Sequence, residues 1–111
     1  TSSYVDIYIL PVVNPDGYVF NETIEPNGGG MHRKNRLDTD CGNGDNRGVD
    51  LNRNYGYGWG SDDTGSSPNP CSATYRGESE FSEPETQAVR DFIIDHQFNT
   101  RKYLMNRNVK A

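Results

Sequence analysis

No stretch of this chain approaches the roughly 18 consecutive apolar residues of a membrane span, and its first residues lack the charged start and apolar middle of a secretion signal. A membrane partner is therefore not expected. Positive charge is also in short supply: 11 Lys and Arg stand against 16 Asp and Glu, for a formal net charge of −5. Such a chain exerts no general attraction on nucleic acid or anionic lipid, which removes nucleic-acid binding from the candidate functions. Apolar residues make up only 32%, well under the roughly 45–50% of an average globular chain by a count that adds glycine. At 111 residues the chain amounts to one domain at most and has a modest core. Its 12 glycines and 6 prolines mark much of the remainder as loop.

Histidine and cysteine are rarer still, at two each. Neither His32 nor His96 has a His, Cys or Glu partner at ligand spacing, so no bound metal is expected of this chain. Cys41 and Cys71 lie outside any Cys-x-x-Cys and suit a disulfide better than a metal. Closing a loop of that size stabilises a fold by about 3–4 kcal/mol and implies an oxidising, secreted or extracellular setting. Ser and Thr fall in loops, and no histidine is placed to activate one as a nucleophile.

What the chain does have begins with residues 4–13, YVDIYILPVV, rich in β-branched and aromatic residues. The run predicts a strand covered on both faces, as in a parallel or mixed α/β sheet, because Pro11 would sit inside a helix. Asn14-Pro15-Asp16-Gly17 reads as a turn that ends this strand, with a brief extension at residues 18–20. Asn21-Glu22-Thr23 fits the three-residue glycosylation pattern and by default is a solvated loop. Pro26-Asn27-Gly28-Gly29-Gly30 lacks the Lys-Ser/Thr end of a phosphate loop, and residues 37–48 are too polar to build a core. Ser82-Glu83-Pro84-Glu85 predicts a helix start with Ser82 as N-cap; the helix runs to about Gln97 with Val89, Phe92, Ile93 and His96 on one face. Residues 102–105 predict a second strand, giving an α/β order of strand, long loop, helix, strand. The tail Asn106-Arg107-Asn108-Val109-Lys110-Ala111 has no stop signal, so residues 1–111 read as a central fragment of a larger domain.

Chemistry concentrates in Gly48-Val49-Asp50-Leu51-Asn52-Arg53-Asn54-Tyr55 and in the cluster of Arg33, Lys34 and Arg36. An arginine fork pairs with a carboxylate through two parallel hydrogen bonds, and Arg53 stands between two asparagines. The alternative, an arginine that pins its loop by bonding backbone carbonyls, is equally open on the residues alone. For Arg33, an electrophilic role toward developing negative charge stands beside a solvated basic turn.

These motifs, with Ser67-Pro68-Asn69-Pro70-Cys71-Ser72-Ala73-Thr74-Tyr75-Arg76-Gly77 and Ser82-Glu83-Pro84-Glu85, resemble in order and spacing the zinc metallocarboxypeptidases of the carboxypeptidase A/B-like family, over residues 4–104. The resemblance implies part of a mixed sheet flanked by helices and a parent enzyme that removes C-terminal residues from peptides. It places Arg33 as the arginine that polarises the scissile carbonyl and stabilises the oxyanion. It places Asn52 and Arg53 as the pair that grips the substrate's terminal carboxylate, and Cys41 and Cys71 as a disulfide found in some members. In the family, zinc is held by a His-x-x-Glu upstream of residue 14 and by a histidine near position 106, where this chain has Asn106. The general-base glutamate lies further downstream. The resemblance thus implies zinc in the parent enzyme but none held by this chain, which is expected to be inactive without the remainder of the catalytic domain. His32 stands where many members carry tryptophan. The alternative function, from a different class, is a non-catalytic module that binds peptide carboxylates.

Overall fold

The computed structural model describes residues 5–96. Three regular elements follow one another: helix α1 (Pro15–Ile24), a single 3-10 turn (Leu51–Arg53) and helix α2 (Pro84–His96). Residues 1–4 and 97–111, with the expected strand at 102–105, lie outside the described part.

The expected strand over residues 4–13 is not formed: residues 5–13 take part in no ladder, and among the described residues the single β pairing is an isolated bridge between Ser67 and Tyr75. A strand needs neighbours for its backbone N–H and C=O groups, and no strand among the described residues lies beside this one. The apolar side chains remain in solvent, with Ile7 80% and Ile9 82% exposed. One attachment is aromatic, Tyr8 meeting Phe92 and His96 on α2 at centroid distances of 5.9 and 4.8 Å.

The quartet read as a turn starts a helix instead, and residues 18–20 continue it. Asn14 is the N-cap, its Oδ1 accepting from Gly17 N at 3.1 Å, and Pro15 needs no partner for a missing N–H in the first turn. Asp16 adds favourable charge at that end of the helix. Asn14 Nδ2 reaches across to Lys34 O at 2.9 Å, so the cap also docks α1 against the basic segment. A Cβ on Gly17 would collide with the Asn14 side chain and lie 2.9 Å from Lys34 O, so only glycine fits. Asn21, in the middle of α1 and not in a solvated loop, clamps His32 from both sides: Oδ1 accepts from its N at 2.9 Å and Nδ2 donates to its O at 2.8 Å.

Helix α2 is bounded much as expected. Its first turn differs in that the residue before Pro84 is Glu83, whose carbonyl accepts from Gln87 N and from Thr86 Oγ1. Ser82, the expected cap, is used elsewhere: its hydroxyl donates to Glu83 Oε2 at 2.6 Å and accepts from Asn54 at 2.8 Å. Val89 and Ile93 are buried, whereas Phe92 is half-buried and His96 exposed.

Among the described residues the apolar core holds Val49, Leu51, Tyr55, Tyr75, Val89 and Ile93, with Val13 and Phe81 packed beside it. Seven polar residues are equally buried: His32, Lys34, Asn35, Asp50, Asn54, Glu83 and Thr86. Buried polar groups require partners, at a cost of about 1–3 kcal/mol for each left bare. Here they supply the cross-links that a sheet would otherwise provide. Asn35 Oδ1 accepts from Val49 N at 2.8 Å while its Nδ2 donates to Glu83 Oε1 at 2.7 Å, joining three distant segments. The Cys41–Cys71 disulfide links the loops at 37–48 and 66–77. Lys34 links the same two loops, its ammonium donating to Asn46 O at 2.7 Å and Ser72 O at 2.8 Å. Burial lowers the Lys34 pKa, an effect that Asp50 opposes and Arg33 reinforces.

Candidate functional site

The centre of the site is Asp50, which sequence reasoning quoted within a motif without giving it a role. Its side chain is only 3% exposed. Oδ2 accepts from Arg33 Nε at 3.3 Å and from Arg33 Nη2 at 3.1 Å, while Oδ1 accepts from the backbone N of Asn52 at 3.2 Å. The Asp50 carbonyl accepts from Arg53 N at 2.8 Å, and the Asp50 N–H is fixed by Tyr75 O at 2.8 Å. One buried residue therefore holds the guanidinium of Arg33 and the backbone of the turn carrying Asn52 and Arg53. An aspartate before a short helical turn is an N-cap signal, and that is the clue in the sequence that could have revealed it.

Arg33 is oriented without being buried. A third bond, Nη2 to Ala73 O at 2.9 Å, completes its fixing, and 58% of the side chain still faces solvent. A cation held in this way by a buried carboxylate and a carbonyl presents its outer face to a ligand with little reorganisation, the arrangement electrostatic stabilisation requires. Lys34 and Arg36, its neighbours in the basic cluster, are committed to loop structure: Arg36 donates to Asn43 O and Gly44 O at 2.7 and 3.0 Å and stacks over Phe20.

The 3-10 turn sorts the two asparagines that flank Arg53. Asn52 faces solvent, whereas Asn54 is fully buried and purely structural. Asn54 Nδ2 donates to Arg76 O, Ser79 O and Ser82 Oγ, and its Oδ1 accepts from Glu83 N and Thr86 Oγ1. Arg53 does pin its loop, Nε donating to Gly65 O at 2.7 Å. The same side chain lines an open pocket of about 330 Å3 with Tyr55, Tyr57, Trp59, Asp62 and Ser66. Trp59 is held there by its indole N–H on Arg76 O at 3.1 Å.

Among the described residues no group of three or more His, Cys, Asp or Glu is placed to hold a metal ion. His32 lies in the interior next to Arg33, and among the described residues Asp45 is its acidic contact, at 3.8 Å. The described side chains therefore do not fit a zinc centre, and what they can do is hold and orient an anion.

The zinc carboxypeptidase family profile matches residues 3–106, and the chain belongs to that family. Among its relatives, carboxypeptidase B of Bos taurus is 46% identical over 100 residues, covering 90% of this chain and 22% of the relative. A metallocarboxypeptidase A-like protein of Trichophyton verrucosum is 49% identical over 88 residues, covering 79% of this chain and 19% of that protein. Among solved structures, carboxypeptidase A from Helicoverpa armigera superimposes with a TM-score of 0.61 at 48% identity, over 78% of this chain and 20% of that one. The chain thus spans about a fifth of the length of these relatives.

Proposed function

We propose that this chain is the substrate-holding part of a secreted, zinc-dependent carboxypeptidase that hydrolyses C-terminal residues from peptides and proteins. Asn52 and Arg53 bind the substrate's free carboxylate, and Arg33 faces the carbonyl whose oxygen gains negative charge. The observation that carries this reading is the double use of Asp50. Its two carboxylate oxygens hold the arginine and the anchoring turn, so both candidate groups stand on one rigid support. Zinc would supply the activation of water in the parent enzyme; the residues of this chain bind and orient, and alone they are inactive. The Cys41–Cys71 disulfide supports an extracellular setting.

Calorimetry of the chain with a short peptide and its C-amidated twin tests the anchor. The free carboxylate is expected to bind and the amide to bind at least tenfold more weakly, the difference a charge-assisted fork makes. Equal binding of the two refutes the assignment of Asn52 and Arg53. Release of C-terminal residues by the longer protein separates an enzyme from a module that only binds carboxylates.

A further inference from the structure

The imidazole of His32 is almost wholly buried, with 1% of its side chain exposed, and its two nitrogens meet different surroundings. Nε2 lies 3.3 Å from Asn35 O, and because a carbonyl can only accept, the neutral ring carries its proton there. Nδ1 therefore presents a lone pair, and among the described residues it is the one buried side-chain polar atom without a hydrogen-bond partner. What it faces is another acceptor, Asp45 Oδ1 at 3.8 Å, whose side chain is 74% exposed.

The histidine is held in place. Asn21 clamps its backbone from both sides, and the Phe20 ring packs against the imidazole at 4.9 Å. Asp45 is the adjustable partner, in a loop whose neighbouring carbonyls are already tied: Asn43 and Gly44 to Arg36, Asn46 to Lys34. The charged groups acting on the ring are Asp45, which favours its protonation, and Arg36, which opposes it; α1 contributes the Phe20 ring and the amide of Asn21. Lys34 turns its ammonium toward Asn46 O and Ser72 O.

We propose that His32 and Asp45 form an acid-operated latch. A proton taken from solvent at Nδ1 converts the lone pair into an N–H donor, Nε2 keeps its bond to Asn35 O, and the imidazolium draws in the Asp45 carboxylate. The loop at 38–48, which carries one half of the disulfide, is thereby fastened to the segment that bears Arg33. Burial holds the histidine below its ordinary pKa of 6.5, so the latch is open at neutral pH and closes only under acid.

Proton NMR titration of the imidazole, combined with amide exchange corrected for intrinsic pH dependence, tests this on the whole chain. Protection at residues 43–47 is referred to that of Val89 and Ile93 in α2, which removes any general loss of stability in acid. On protonation of His32 the ratio is expected to rise about threefold, the gain an ion pair with one exposed partner provides. Asp45→Asn, a change at an exposed position, is expected to abolish that rise and to lower the titration midpoint of His32. A midpoint unchanged by Asp45→Asn, or a protection ratio that does not rise on acidification of the unsubstituted chain, overturns the proposal.

Discussion

Replacing Asn54 by alanine should destabilise this chain about as much as a large-to-small change in its apolar core. The side chain is 0% exposed, and its amide serves five partners between Arg76 and Thr86. The losses are unequal. Arg76 O keeps the Trp59 indole at 3.1 Å, Ser79 O keeps Ser82 N at 3.2 Å, and Thr86 Oγ1 keeps Glu83 O at 2.9 Å. The Ser82 hydroxyl retains Glu83 Oε2. Glu83 N, whose bond to Asn54 Oδ1 is 3.2 Å, is left bare at the start of α2 and costs about 1–3 kcal/mol. The vacated volume and the weakened carbonyl contacts add about 1–2 kcal/mol. The total, about 2–5 kcal/mol, is a large share of the 5–15 kcal/mol typical of a whole domain. Urea unfolding followed by the fluorescence of Trp59 measures it. With a slope of about 1 kcal/mol per molar for a chain this short, the midpoint should fall by about 3 M. Asn52→Ala, at the exposed neighbour, should move it by less than 0.5 M on the same scale. Equal shifts for the two variants would refute the claim that buried amide bonds hold the turn to α2.

In the longer protein, Arg53→Ala is expected to raise KM at least tenfold with a small effect on kcat, while Arg33→Ala lowers kcat with a smaller effect on KM; steady-state kinetics on a peptide substrate distinguishes them. His32 adds a pH dependence whose sign follows from burial. Its folded pKa lies below its ordinary 6.5, so the folded state binds fewer protons than the unfolded one. The stability contribution is complete above pH 6.5 and is lost as the pH falls through the folded value. Urea midpoints measured between pH 7 and 5 should therefore decline less in His32→Gln than in the unsubstituted chain. The double change Cys41→Ser, Cys71→Ser should remove about 3 kcal/mol by loop-closure entropy. Lys34 still spans the same loops in that variant, so amide protection at residues 43–47 should fall by less than the global loss.

The disulfide pair and the start of α2 are legible because their signals are local, whereas the part Asp50 plays in holding Arg33 and the turn at Leu51–Arg53 is not. A fork-shaped donor, a paired cysteine spacing and a Ser-x-Pro-Glu helix start announce themselves in a few letters. Asn14-Pro15-Asp16-Gly17 shows where that legibility ends, since the same four letters open a helix or close a strand. The local Asn14 cap on Gly17 N is joined by Asn14 Nδ2 on Lys34 O, a contact twenty residues away that the four letters do not contain. The buried asparagines were hidden for the same reason: Asn35 and Asn54 look like loop residues, and their burial depends on partners up to 50 residues distant. The strand expected at residues 4–13 has the right composition, but pairing depends on segments other than its own.

That exposed, apolar stretch gives the chain a colloidal character its net charge of −5 does not reveal. Val5, Ile7, Tyr8, Ile9 and Leu10 form a short window of high β propensity, exposed along its length, with Asp6 the only charge before Pro11. Such windows nucleate strand stacking between copies, and a single acidic residue is a thin gatekeeper. Handled in isolation, this chain would carry that window as a route to self-association, and a second charge at Ile7 or Ile9 would interrupt it.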